Sequence, residues 1–274
     1  GGVRLGVQTY SLRGLPRPAG GDMVEALIKG MSECGFTECE LWAPQIEPAQ
    51  PGGRGRPPEE VQKSRDELRR WRTETPLAHF EGIRKKFDAA GIRIWAYNYS
   101  PDVRFSGEEI DRGFQIARAL GAEIITASAT LEAARPMVPF AAKHMMPVAV
   151  HNHSNVTDPN EFATLESLAT ALKLSPFFRV NLDIGHFTAA NYDAAAYIRE
   201  HHASITNLHL KDRKKDQGPN TAWGTGDTPI RQVLQLLKKE RWPIRAYIEY
   251  EHKGEAGAID EVKQCFAFTK SALA

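Results

Sequence analysis

The sequence predicts a single α/β domain, a (β/α)8 barrel, and three observations carry the prediction. Short apolar strand-like runs alternate with amphipathic stretches along all 274 residues, at about one pair per ~30 residues. The strand-like runs are rich in β-branched and aromatic residues and poor in charge, as strands of a parallel sheet covered on both faces must be. Four of the later runs end abruptly in His, Asp, His and Glu, as strand ends at a barrel's C-terminal face do when they carry chemistry.

The candidate strands are residues 4–8, 37–42, 92–97, 123–128, 147–151, 178–183, 205–210 and 244–249. Between them the apolar periodicity predicts helices near 22–34, 76–90, 107–120, 131–143, 159–172, 192–202, 228–240 and 259–272. Asp22 is a candidate N-cap, and Gly35, Gly91 and Gly121 stand where helices should stop. Asp158-Pro159 and Thr228-Pro229 each place a capping residue before a proline suited to a first helical position. Strict alternation to the end of the chain argues for one domain spanning 1–274.

Residues 44–58 (PQIEPAQPGGRGRPP) interrupt the pattern. Their proline and glycine content excludes regular structure and predicts an exposed excursion after the second strand, followed by a polar helix at 59–73. The excursion leaves from the catalytic rim, so it is either a partial cover for the site or a surface elaboration.

Composition narrows the function. Net charge is +1, which gives no electrostatic basis for binding nucleic acid or an anionic membrane. No apolar run approaches the ~20 residues of a membrane-spanning helix. Cys34, Cys39 and Cys265 show no paired spacing and read as small buried thiols. The first residues are Gly1-Gly2 rather than Met. The compartment is therefore cytoplasmic by default, and periplasmic or secreted if a signal peptide has been removed. A homo-oligomer is compatible with all of this.

The four polar strand ends lie in VAVHNH, VNLDIGH, TNLHLKD and AYIEYE. Burying such groups is costly unless they meet a partner, and one shared divalent cation satisfies all four. His151, Asp183, His209 and Glu249 are the expected ligands, on four consecutive strands around the ring. His153 shares strand parity with His151, and Glu251 with Glu249, so each is a competitor for its neighbour's role. Mixed nitrogen and oxygen donors admit Mn²⁺, Zn²⁺, Mg²⁺ or Co²⁺. Glu249, His186 and His151 are the expected proton-transfer groups, with His186 in the loop after strand 6. His153, Lys211 and Arg213 are expected to touch substrate. At the ends of strands 2 and 3, Glu40, Trp42, Tyr97 and Asn98 are expected to supply an apolar wall and hydroxyl partners for a polyol. Gly224-Thr225-Gly226, before a predicted helix, is a weak anion-site candidate, and Lys214-Lys215-Asp216 reads as a solvated charge run.

At these residues the chain resembles the sugar phosphate isomerase/epimerase superfamily, the xylose isomerase-like TIM barrels. The resemblance runs from GVQTYSLR (6–13) through CELW (39–42) to IEYE (248–251). It implies metal ligands at the ends of strands 5 to 8, matched here by Asp183 in DIGH, His209 in HLKDR and Glu249 in IEYE. The ketose epimerases of the family carry Glu at the end of strand 5, where this chain has His151 in HNH. In those epimerases the glutamates of strands 5 and 8 transfer the protons, so the replacement weakens the case for 3-epimerisation and leaves the metal expectation intact.

The expected function is a divalent-metal-dependent isomerase or epimerase acting on a ketosugar or related polyol through an enediolate. A dehydratase or lyase acting on a keto-sugar, keto-glycoside or inosose is the alternative. A non-catalytic sugar-binding barrel ranks lower, and a multi-zinc phosphodiesterase is disfavoured by net charge and ligand count.

Overall fold

The computed structural model describes residues 2–19, 21–50, 55–254 and 256–274. Eight parallel strands close into a barrel in sequence order: β1 Leu5–Gln8, β2 Glu38–Trp42, β3 Arg93–Asn98, β4 Ile124–Ala127, β5 Val148–His151, β6 Phe178–Asp183, β7 Ile205–Leu210 and β8 Arg245–Ile248. The ring closes where β1 pairs with β8 through Leu5–Ala246, Gly6–Tyr247 and Val7–Ile248. Every predicted strand is present, with no end moved by more than one residue.

The helices differ more from expectation. The stretch 131–143 is a short helix Leu131–Ala134, a 3-10 turn Arg135–Met137 and a second helix Val138–His144. Pro136 and Pro139 each stand near the start of a new piece, where the missing N–H does least harm. The predicted helix at 159–172 begins only at Leu165. Thr164 and Ser167 form a capping box there, so Asp158-Pro159 opens a turn instead. Within that turn Asn160 caps the neighbouring helix, accepting from the backbone of Leu131 and Glu132. After β6 an extra short helix, Ile184–Ala189, precedes Ala194–His201, and it carries His186. The predicted start at Thr228 is also displaced, because Pro229 is the cap of Ile230–Glu240.

The excursion falls partly outside the described residues, since 51–54 are not among them. Ala43–Gln45 is a 3-10 turn, so the expectation of no regular structure over 44–58 needs correcting at its start. The helix that follows, Pro58–Glu74, is pinned by its buried Arg72. That guanidinium donates to both oxygens of Glu47 at 2.7 and 2.9 Å. No helix among the described residues is long and apolar enough to cross a membrane.

Inside the ring, the lower layer is apolar, built from Trp95, Ala96, Ile124, Ala149 and Tyr247. Above it the barrel turns polar, and that change of layer positions the site.

Candidate active site

Glu40, on β2, is the hub of the polar layer and is fully buried. Its Oε1 accepts from Gln8, Asn98 and Thr126, and its Oε2 accepts from Asn207 at 3.1 Å. The same Oε2 lies 2.9 Å from Nε2 of His209. With one nitrogen held this way, His209 presents Nδ1 upward, toward Glu249 Oε2 at 3.0 Å.

Around that point the four strand ends converge. One donor atom from each of His151, Asp183, His209 and Glu249 lies within 4.8 Å of the other three. All four residues are buried. His151 Nδ1, Asp183 Oδ2, His209 Nδ1 and Glu249 Oε2 make no aligned hydrogen bond, although some neighbours lie within ion-pair distance. Buried polar atoms are nearly always satisfied. Among the described residues His151 Nδ1 has no partner while the other three meet only ion-pair contacts, so the cluster has room for one more partner.

Local structure aims these groups. Asp183 caps the helix Ile184–Ala189, its Oδ1 accepting from the backbone of His186 at 2.6 Å, which leaves Oδ2 to face the centre. Asn152, between the two histidines of HNH, locks β5 to β6 by bonding both the N–H and the carbonyl of Asp183. Gly185 lets this helix pass close to β7, since a Cβ there would sit 2.7 Å from the carbonyl oxygen of Lys211.

Two imidazoles stand beside the four. His153 has Nδ1 2.8 Å from Glu161 and Nε2 2.9 Å from the Ser128 hydroxyl. His186 lies in the short helix rather than in a loop, with Nδ1 2.6 Å from Arg213 and Nε2 3.2 Å from Lys211. Three nitrogens, one each from His151, His153 and His186, also lie within 4.8 Å of one another.

Lys211 is as buried as the apolar core, and its ammonium contacts Asp183 Oδ2 at 3.0 Å, Glu249 Oε2 at 2.9 Å and Glu251 Oε1 at 3.3 Å. The charge balance follows. Burial opposes the charge on Lys211, but the carboxylates of Asp183, Glu249 and Glu251 outweigh it and hold the ammonium firmly protonated. Burial likewise opposes charge on His209, and Glu40 with Glu249 reverse that, raising it to about 10. Burial, reinforced by His209, pushes His151 well below the usual imidazole range. His186 is lowered by burial and then by Lys211. Of the two carboxylates, burial raises Asp183, whereas Lys211 and His209 overcome burial and lower Glu249.

A cavity of about 270 Å³ opens above the cluster, lined by Gln8, Tyr10, Trp42, Asn98, Ser128, His151, His153, His186, His209, Glu249 and Glu251. Tyr10 and Trp42 meet edge to face at 4.7 Å and form its apolar wall. Of the residues expected to touch substrate, Trp42, Asn98 and His153 line this cavity.

Four other expectations need correction. Glu40 lies beneath the cavity, its oxygens consumed by the polar layer, so it positions His209 rather than meeting a ligand. Tyr97 is fully buried on the outer face of β3, stacked on Tyr99. Lys211 and Arg213 stand behind His186, not on the cavity surface, and Arg213 is further tied to Ser154 and the Gly218 carbonyl. Gly224-Thr225-Gly226 does hold an anion, but an internal one: the N–H groups of Gly224 and Gly226 donate to Asp212 Oδ2 at 2.7 and 3.0 Å.

Gln8, Tyr10 and Ser128 were missed. Gln8 ends β1, Tyr10 lies just past it and Ser128 follows β4, so the strand-end rule applied to β1 and β4 would have found them. Glu161 carried no such signal, since it sits in a turn well beyond β5. A larger groove of about 500 Å³ lies outside the barrel, between Leu165–Leu174 and Ala194–His201, away from this cluster.

A family model described as xylose isomerase-like TIM barrel matches residues 31–271. No curated protein matches the chain by sequence. Among solved structures, a sugar phosphate isomerase/epimerase from Parabacteroides distasonis is 16% identical over 98% of this chain and 96% of that one, with a TM-score of 0.67. The probable 3-DHS dehydratase AsbF of Bacillus anthracis is 15% identical over 97% of both chains, with a TM-score of 0.66. The 3-keto-D-glucoside 4-epimerase YcjR of E. coli is 12% identical over 98% of this chain and 99% of that one, with a TM-score of 0.67. At these identities the likeness is one of fold.

Proposed function

This chain belongs to the xylose isomerase-like TIM barrel family, and from that membership we propose a divalent-metal-dependent isomerase or epimerase acting on a ketosugar or related polyol. The observation that carries the reading is the convergence of donor atoms from four buried residues, His151, Asp183, His209 and Glu249, on one point. Two imidazoles and two carboxylates within 4.8 Å of one another fit a mixed-donor divalent ion such as Mn²⁺, Zn²⁺, Mg²⁺ or Co²⁺. Bound there, the ion would supply Lewis acidity toward a carbonyl and its neighbouring hydroxyl.

The chain's own groups do the rest. Trp42 and Tyr10 offer apolar faces to the C–H side of a sugar, while Asn98 and Gln8 meet hydroxyls from below. Glu249, just past β8, and His186, in the short helix after β6, both line the cavity beside the cluster, in position to move a proton at carbon next to the carbonyl and leave an enediolate. Arg213 fixes the His186 ring from behind. His151, with one nitrogen aimed at the cluster, serves better as a ligand than as a base.

A second reading, elimination by a dehydratase or lyase on a keto-sugar, keto-glycoside or inosose, is favoured by one feature. Both cavity-lining carboxylates, Glu249 and Glu251, lie at the end of β8, and the wall formed after β5 presents imidazoles instead. A carboxylate and an imidazole suit abstraction of one proton and protonation of a leaving group.

The test is an NMR screen in deuterated buffer with added Mn²⁺, over free ketoses, keto-glycosides and inososes. Deuterium gained next to a carbonyl without loss of a substituent supports isomerisation or epimerisation, and release of the β-substituent supports elimination. Binding without exchange or turnover across the panel, with metal bound, would leave a sugar-binding barrel. In the same assay Glu249→Gln should lose both metal and turnover. His186→Ala should keep the metal and lose turnover by ~10²-fold or more. Loss of metal in His186→Ala would make His186 a ligand.

A further inference from the structure

The ammonium of Lys211 touches two of the atoms that the divalent ion would use. Its Nζ is 3.0 Å from Asp183 Oδ2 and 2.9 Å from Glu249 Oε2, and both oxygens are among the four without an aligned hydrogen bond. The side chain is fully buried, so water does not screen this charge as it screens a surface lysine. Glu251 Oε1 at 3.3 Å gives the ammonium a third carboxylate partner.

We propose that Lys211 is a built-in cation that shares the Asp183 and Glu249 oxygens with the divalent ion and keeps that ion's affinity moderate. The proposal rests on the metal reading of the site. Two cations on the same pair of oxygens repel each other strongly at these separations, and the low-dielectric surroundings magnify the effect. Lys211 therefore weakens binding of the ion without removing a ligand. Glu251 retains the ammonium as the ion settles, so loading does not expel Lys211. The lysine thereby tunes the metal centre by its charge. It also makes a selectivity device, because a divalent ion must outbid a charge already in place.

The contrary reading is that Lys211 simply braces Asp183 and Glu249. Removing a brace loosens the ligands and lowers affinity, whereas removing a competitor raises it, so the sign of the change decides between them.

The experiment titrates Mn²⁺ into the native protein, Lys211→Met and Lys211→Gln, following free Mn²⁺ by electron paramagnetic resonance. Circular dichroism verifies the fold of each. Lys211→Met keeps the length and removes the charge, and Lys211→Gln keeps a polar tip should methionine misfold. The expected result is Mn²⁺ binding at least ~10-fold tighter in the variants than in the native protein. Unchanged or weaker binding in folded variants, beside a native protein that binds, would overturn the role of Lys211 alone. A native protein and variants that all fail to bind Mn²⁺, Zn²⁺, Co²⁺ or Mg²⁺ would overturn the metal reading and this inference with it.

Discussion

Glu40 is tolerated at the centre of the barrel because every lone pair has a donor: Gln8, Asn98, Thr126, Asn207 and His209. Such a network is stable only when complete, and His209 is the member that connects it to the site. A carboxylate behind a ligating imidazole fixes the ring and raises its donor strength. Glu40→Gln should thus weaken Mn²⁺ binding by ~10- to 100-fold while leaving the cavity lining intact, measured by the same free-metal titration. Unchanged affinity would reduce Glu40 to a filler of the barrel interior. The residue was visible in the sequence as an acid at a strand end, but its role was not. Glu40 and Trp42 share parity on β2 and both point inward. Depth along the barrel separates them, and depth depends on register with neighbouring strands, which periodicity does not encode. The residues at the ends of β5 to β8 were legible for the opposite reason, since each terminates an apolar run that has no other use for a charge.

At the scale of elements, strands were read more accurately than helices. A buried parallel strand must be a short apolar run, so its ends are marked by composition. A helix end is set by whichever cap wins locally. Thr164 with Ser167 outcompeted Asp158-Pro159 by satisfying two backbone N–H groups at once. Two helix attachments are testable. Arg72 holds Pro58–Glu74 to the barrel through Glu47, with Phe105 under its guanidinium at 4.8 Å. Arg72→Met leaves Glu47 buried and unpaired and should cost about 3–5 kcal/mol. Limited proteolysis should then cut first near residues 58–74, and resistance equal to the native protein would show that the helix docks without the ion pair. Asp111 joins Gly107–Ala119 to Val138–His144 through Lys143 at 2.9 Å and His144 at 2.6 Å. Burial opposes its charge, but those two partners prevail and lower its pKa. A depressed carboxylate contributes stability above its unfolded value of ~3.9 and loses it as pH falls through the lower folded value. Asp111→Asn should therefore lower Tm by ~1–3 °C at neutral pH, with the difference closing on acidification below about pH 4. A gap that persists at low pH would assign the loss to packing instead of charge.

For the whole molecule, the decisive step is closure, because an open eight-stranded sheet would leave two edges and no convergent strand ends. Closure depends on β1, only four residues long, fitting between β2 and β8. Gly6 makes the fit possible. A Cβ at this position would fall 2.8 Å from the Glu38 carbonyl oxygen and closer still to the Tyr247 ring. Tyr247 is fully buried and donates to Glu38 Oε1 at 2.7 Å, so it does not swing aside freely. Gly6→Ala should destabilise the protein by about 1–3 kcal/mol through overpacking at the seam. Because the seam belongs to the ring as a whole, the loss should appear as a lower Tm of one cooperative transition, without an early local phase. Tyr247→Leu should then recover part of the loss in the Gly6→Ala background while costing stability alone, a non-additivity expected of residues in direct contact. Strict additivity of the two changes, measured by thermal and denaturant unfolding, would place the strain of Gly6→Ala in the β2 backbone instead of the tyrosine ring.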